Sequence, residues 1–409
     1  MRSGSYKWAV VGMLWCICLL NYADRQAIFS VFPLLEKEMN LTPVQLGLLG
    51  SAFAWVYGLG APFAGLIVDR IRRTRAILGG LQAWSVICCA TAVSTKFGHL
   101  FFFRAAEGLG ETFYYPASVS LLSDYHGKAT RSRALGLHQT SVYMGTIAGG
   151  FFAGLIGQHY GWRWSFVIFG GLGILLGLFL TRALQEPVRG AAEEQPATVQ
   201  QLSVREAWAT ILSQPAALAL MAAFVCANFV AVVLLSWMPK FLYEKFGMSL
   251  AAAGLSATLF AQLASFTGAF TGGWLADKWV QKTVRGRIAV QLVGVVAGAP
   301  FVALCGSTQT VAWLVVALTG WGFFKGLYDA NIFASVFDVI PPAARGATAG
   351  LMNCVGWLLG GGIAPVVVGF VAQRTNLGFA IAATSVVYIL AGLCLLLAML
   401  KIRKQVACP

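Results

Sequence analysis

Five ionisable residues, Asp24, Arg25, Arg104, Glu107 and Glu111, lie inside runs otherwise apolar enough to sit in a lipid bilayer. Asp24 and Arg25 interrupt the run from Trp8 to Phe29, and the other three interrupt the run from Leu100 to Leu122. A charge at bilayer depth costs at least about 2.5–3.5 kcal/mol, so it normally faces a partner or a watery cavity and marks a path for solutes. Desolvation favours a neutral carboxyl, whereas an adjacent arginine favours the charged form. An arginine that turns to an anionic ligand therefore leaves behind a carboxylate that is more readily protonated. That exchange is a physical basis for moving an anion together with a proton, and it needs only a carboxylate and a cation within reach.

Spacing groups these residues further. Arg104, Glu107 and Glu111 fall at i, i+3 and i+7. At 100° per residue Glu111 points within about 20° of Arg104 and Glu107 within about 60°, so all three share one helix face. Arg104 and Glu111 are about 10 Å apart along the axis, too far for a direct pair without bent side chains or water, and each can instead meet a partner from another helix. Asp24 and Arg25 offer both signs. A second polar set, Asn228, Gln262, Lys325, Asp329, Asn331 and Asn353, occupies apolar runs in the other half of the chain. Lys325 and Asp329 are i, i+4 and can neutralise each other; alternatively Lys325 is a second anchor for an anion, with Asn331 and Asn353 as polar contacts. Tyr22, Tyr57, Tyr114, Tyr115 and Trp55 stand near the charges in sequence, where tyrosines can bind hydroxyls and present a flat face to a sugar-like ring.

The elements that must carry these residues are membrane spans. The chain is 58% hydrophobic and only 11% charged over 409 residues, with mean hydropathy +0.74, whereas soluble domains are about a quarter charged. A span needs about 20 apolar residues. Twelve candidates follow, at roughly 8–30, 42–68, 76–95, 98–123, 133–157, 163–184, 215–239, 250–276, 287–306, 309–338, 346–372 and 378–400. The expected fold is all-α, twelve transmembrane helices in two pseudo-symmetric bundles of six.

The net charge of +14 could suggest nucleic acid, but its distribution excludes that reading. With a cytoplasmic N-terminus, 20 of the 29 lysines and arginines fall in inside segments and 6 in outside loops. This asymmetry sets both termini in the cytoplasm. The first apolar run lacks a small-residue cleavage site and is long enough to span, so it reads as a helix and not a signal peptide. Nine cysteines lie almost all within apolar runs without a metal-type pair. The four histidines, His99, His126, His138 and His159, sit at loops or span ends without ligand spacing. No cofactor or structural metal is implied, and no nucleophile with an evident base argues for an enzyme.

The longest polar stretch, Arg182–Trp208, divides six spans from six. The expected organisation is therefore a bundle over 1–184, a cytoplasmic linker over 185–212 and a bundle over 213–409. Internal repetition supports the division: Gly65-Leu-Ile-Val-Asp69-Arg70 follows the second span and Gly273-Trp-Leu-Ala-Asp277-Lys278 the eighth, 208 residues later. Each Asp sits at a helix end, where it can cap a neighbouring helix or pair with an arginine such as Arg73 across a cytoplasmic gate. Parallel six-span repeats with the substrate site between them are an established transporter plan.

Gly65-xxx-Asp69-Arg70 with Arg72, Arg73 and Arg75, its repeat at Gly273–Lys278, and Arg104-xxx-Gly108-x-Gly110 resemble the signature motifs of the major facilitator superfamily. Arg72 departs from the loop motif, which usually has Gly there. Asn21-Tyr22-Ala-Asp24-Arg25 and Ser51-Ala-Phe-Ala-Trp55-Val-Tyr57 look like the anion:cation symporters, which include hexuronate and galactonate carriers. The resemblance implies proton coupling at Asp24 and Glu111, and contact with a sugar acid by Tyr22, Arg25, Tyr57 and Arg104. Where those carriers place a substrate-binding glutamine in the fifth span, this chain has Val142, with Gln139 about one turn earlier. The Asn-Tyr-x-Asp-Arg start and Gly110-Glu111 are shared with spinster-type lipid transporters, which makes lipid or lysolipid transport the alternative. The expected partners are a small organic anion, protons and the bilayer; the expected unit is a monomer in a bacterial inner membrane.

Overall fold

The computed structural model describes residues 4–68, 70–127, 129–188 and 204–406. Every regular element among them is helical. Helices α1 Gly4–Ser30, α2 Phe32–Met39, α3 Pro43–Val68, α4 Arg73–Thr91, α5 Phe97–Glu111, α6 Tyr114–Tyr125, α7 Arg131–Tyr160 and α8 Trp162–Ala183 occupy the first part of the chain. Helices α9 Val204–Leu212, α10 Pro215–Phe246, α11 Leu250–Val280, α12 Gly286–Ser307, α13 Val311–Asp329 and α14 Ile332–Val339 follow, then α15 Arg345–Val355, α16 Ala364–Arg374, α17 Leu377–Ala383 and α18 Ser385–Val406. Two compact units form. One comprises Met1–Leu41, Leu48–Thr198 and Gly247–Leu255; the other comprises Thr42–Gly47, Val199–Phe246 and Ser256–Pro409.

Ten helical stretches among the described residues are long and apolar enough to cross a membrane. Two of the twelve expected spans, 76–95 and 98–123, are not among them. The first forms the helix α4, but Arg73, Arg75 and several polar side chains dilute its apolar character. The second breaks into α5 and α6 at Thr112–Phe113. Pro116 explains the break: its ring clashes with the carbonyl four residues back, at Thr112, and it has no N–H to give. The Thr112 hydroxyl meanwhile binds the Gly108 carbonyl at 2.7 Å. Large apolar side chains such as Leu175, Phe179, Phe270 and Leu393 stand more than half exposed, with fractions from 51% to 80%. On a soluble surface this would be a liability; on lipid-facing helices it is the expected finish.

The first unit is organised around a core of Val10, Leu14, Ile17, Leu81, Trp84 and Tyr114. Helix α7 lies against α1 through small residues. At Gly149 a Cβ would run into the Ala23 backbone, next to Asp24, so the close approach that positions the acid requires glycine there. Gly149→Ala is expected to force the two helices apart at a cost of about 1–3 kcal/mol. Thermal unfolding in detergent measures this, with Gly171→Ala, where a Cβ meets nothing within 4 Å, as the neutral control.

In the second unit, Asn331 ends α13. Its amide nitrogen binds the carbonyl of Leu327, one turn back, at 3.0 Å and that of Gly272 at 3.1 Å. The side chain thereby satisfies a carbonyl left open where the expected span 309–338 parts into two helices, α13 and α14. The expected span 346–372 is likewise interrupted, by a wider π-type turn over Gly356–Gly361 ahead of Pro365.

Candidate functional site

All five intramembrane charges converge in the first unit and are at most 9% exposed. Arg25, on α1, directs its Nε at Glu111 Oε2 on α5 at 2.9 Å, with its Nη2 on the same oxygen. Nη2 also donates to Asn21 Oδ1 one turn earlier, at 3.3 Å. The guanidinium lies over three rings, with its Cζ 4.7 Å from the Tyr22 centroid, 4.6 Å from Phe53 and 4.9 Å from Tyr57. Each such contact is worth about 0.5–2 kcal/mol. Together they restrain the guanidinium, and two of the three rings, Tyr22 and Tyr57, are half-buried.

Arg104 forms its ion pair within its own helix. Its Nη1 pairs with Glu107, three residues on, and its Cζ lies 5.0 Å from the Phe53 ring. Of the two arrangements open to Arg104, the pair within its own helix is the one formed: i, i+3 spacing already brings a carboxylate alongside, and a buried pair on one helix needs no register with a second. Phe53 stands within 5.0 Å of both guanidiniums. Nothing along the chain marks Phe53, because an aromatic in a span is ordinary; its place beside both guanidiniums and against the Tyr57 ring follows only from packing. Asp24 completes the set. It is 3% exposed, and its Oδ1 has no hydrogen-bond partner among the described residues. Glu111 Oε1, Glu107 Oε1 and Arg104 Nε and Nη2 are likewise buried without partners.

A buried cluster of two arginines and three carboxylates, set in an all-helical membrane scaffold, can be compared with known proteins. A sequence profile described as Major Facilitator Superfamily matches residues 14–365. The chain belongs to the Major Facilitator Superfamily. It is similar to the chloroplastic sodium-dependent phosphate transport protein 1 of Arabidopsis thaliana, 27% identical over 368 residues, which are 87% of this chain and 72% of that protein. It is also similar to the hexuronate transporter of Bacillus subtilis, 24% identical over 377 residues, 90% of this chain and 89% of the relative. Among solved structures, a bacterial homologue of the human lysosomal transporter Spinster has a TM-score of 0.84, with 98% of each chain covered and 22% identity. At that identity the likeness is one of fold.

The superfamily's loop motifs can now be placed. Asp69 lies outside the described residues. Arg70 is exposed, and Arg73 at the start of α4 pairs with Asp124 near the end of α6. In the second unit, Arg287 near the start of α12 pairs with Asp338 of α14 at 2.6 Å, and Asp277 stands 3.9 Å from the same guanidinium. Arg73 and Asp124 are 51 residues apart, as are Arg287 and Asp338. The same bridge is thus built once in each half. Lys278 covers the Trp274 ring at 3.7 Å.

Glu186, just past α8, caps α4. Its carboxylate accepts from the amides of Arg73 at 2.9 Å and Thr74 at 2.8 Å, and from the Thr74 hydroxyl at 2.6 Å. This is the helix-capping role that sequence reading expects of the loop-motif aspartate; the signal available was a Glu-Pro pair directly after a span. Burial pushes the Glu186 carboxyl up, but the Thr74 hydrogen bonds, the Arg73 amide and the Arg73 charge outweigh it and leave it below the ordinary 4.5. A lowered folded value means that the cap stabilises the protein above the ordinary glutamate range and stops doing so as the pH falls through it. Glu186→Ala is expected to lose about 1 kcal/mol at neutral pH. In thermal unfolding, its difference from wild type should shrink as the pH falls below 4.5.

The remaining expected contacts are distributed differently. Gln139 accepts weakly from the Tyr115 hydroxyl at 3.5 Å. Lys325 is paired with Asp329 on its own helix. Asn353 is half-buried, its amide bound to the Ala349 carbonyl one turn back at 3.1 Å. Asn331, 3% exposed, donates its amide nitrogen to two backbone carbonyls where α13 ends.

Proposed function

We propose that the chain is a secondary transporter that carries a small organic anion, a sugar acid or related carboxylate, in symport with a proton by alternating access. The observation that carries this reading is the charge balance of the first unit. Arg25 is engaged with Glu111 and Arg104 with Glu107, while Asp24 is buried and its Oδ1 has no partner among the described residues. An uncompensated charge in such a site costs several kcal/mol, so electroneutrality assigns one proton to it, and Asp24 is the group to hold it.

Anion binding moves a second charge. An incoming carboxylate competes with Glu111 for the Arg25 fork, the planar donor pair suited to it. Tyr22 and Tyr57, against the same guanidinium, present ring faces and hydroxyls to a polyhydroxylated chain. Glu111, released, must pair elsewhere or take up a proton. Substrate and proton then occupy the site together, which is the linkage that symport requires. The hexuronate relative supports this substrate class. The loop bridges Arg73–Asp124 and Arg287–Asp338, with Asp69, Arg70, Asp277 and Lys278 in the same loops, are the contacts whose making and breaking bias the transport cycle. The orientation of the lysines and arginines supports cytoplasmic termini in a cell membrane, and the unit is a monomer.

The test uses purified protein in liposomes enclosing a pH-sensitive dye. External glucuronate or galactonate should acidify the interior, and Asp24→Asn or Glu111→Gln should abolish the signal. Phosphate and a sodium gradient are run in parallel. Uptake that follows sodium and ignores the pH gradient would overturn proton coupling; no response to any small acid would overturn the substrate class.

A further inference from the structure

Beside the Arg104–Glu107 pair, three helices bring together a donor set that adds a thiol to two of the site's carboxylates. Asp24 of α1, Cys88 of α4 and Glu107 of α5 each offer one ligand atom, and these atoms all lie within 4.8 Å of one another. The three residues are 3%, 0% and 1% exposed. Asp24 Oδ1 and Glu107 Oε1 are buried and accept no hydrogen bond among the described residues. The Cys88 thiol reaches the Phe166 carbonyl at 3.5 Å, a weak interaction for a sulfur donor. Enclosed oxygens without donors, beside a thiol, suit a cation.

We propose that Asp24, Cys88 and Glu107 form a binding site for a thiophilic divalent cation of the zinc or cadmium type, whose occupancy blocks the transport cycle. Thiolate with two carboxylates selects such ions over magnesium or calcium, which take oxygen ligands. A tetrahedral zinc with bonds of about 2.0–2.3 Å sets its ligand atoms roughly 3.3–3.8 Å apart, so the cluster needs to contract by about 1 Å, leaving a fourth position for water. Charge also balances. Arg25 is offset by Glu111 and Arg104 by Glu107, so a divalent ion is neutralised by the Asp24 carboxylate and a Cys88 thiolate. Binding releases the Cys88 proton and, on the symport reading above, the Asp24 proton. The metal and the coupling proton therefore exclude each other, and affinity rises with pH.

The test separates binding from transport. Cadmium chloride is titrated into the purified full-length protein in detergent while the ultraviolet charge-transfer band of a cadmium–thiolate bond is followed. A saturable band that strengthens with pH is expected in wild type and should be missing from Cys88→Ser and Cys88→Ala. An unchanged band in both variants, or none in wild type, overturns the site. Proton release on binding, measured in weakly buffered wild type, gives a check independent of the variants: about two per ion are expected, and none overturns the site. In liposomes, cadmium should inhibit wild-type uptake and spare the Cys88 variants. Failure of metal-free uptake would instead count against the symport reading.

Discussion

Arg25→Ala is expected to reduce sugar-acid uptake into liposomes by about a hundredfold or more, the largest effect of any single substitution in the site. Two losses combine. Charge-assisted hydrogen bonds from a guanidinium to a carboxylate are worth roughly 1.5–3 kcal/mol, and each 1.4 kcal/mol is a factor of ten. In addition, Arg25 balances Glu111 and stacks on Tyr22, Phe53 and Tyr57. Its removal strands a buried carboxylate, which destabilises a protein by about 3–5 kcal/mol unless that group takes up a proton. Arg25→Ala with Glu111→Gln removes both members and should recover most of the lost thermal stability without recovering uptake. Arg25→Lys keeps the charge but lacks the planar fork, and should give intermediate uptake. Retained uptake in Arg25→Ala, with the fold intact by thermal unfolding, would overturn the role.

Asp24→Asn is expected to separate the two fluxes. The substitution removes the carboxyl that has no cation of its own and replaces it with a neutral group of nearly the same size. Exchange of labelled for unlabelled substrate needs the anion site but no net proton movement, so it should stay within about threefold of wild type. Uptake driven by a pH gradient should fall to background, and the pH dependence of exchange should weaken, because one of the two carboxyls that take up protons is gone. Counterflow and dye acidification on the same liposomes measure both. Wild-type acidification in Asp24→Asn would place the coupling proton elsewhere; loss of exchange as well would make Asp24 part of the anion site.

Much of this arrangement is legible along the chain. The five charges declare themselves, because lipid makes them too costly to keep without use. Sequence periodicity also places Arg104, Glu107 and Glu111 on one face. The sequence offers Arg25 as a candidate cation for these carboxylates, and the fold selects Glu111 as its partner. The Arg104–Glu107 pair is likewise selected by the fold, because a helical wheel shows which residues share a face but not which rotamers meet. Asn331 reads along the chain as a ligand contact because it is an intramembrane polar residue; that its amide nitrogen binds the Leu327 carbonyl at the end of α13 appears only in the fold. Glu186 and Asp124 are surface-type residues by composition, and only the return of the chain to the start of α4 gives them partners.

By itself the sequence determined the class of solvent, the helical periodicity, the membership of a twofold-repeated transporter family and the residues expensive enough to matter. These depend on properties local to the chain: apolar length, charge placement and motif spacing. Tertiary structure alone decided which charges neutralise one another, that Phe53 stands beside both guanidiniums, and that Asp24, Cys88 and Glu107 from three separate helices share one enclosed space. The reason is physical. Pairing and enclosure depend on ångström-scale distances between helices, and those are set by where glycines such as Gly149 let backbones touch and where Pro116 breaks a helix. Neither consequence can be read until the helices are packed.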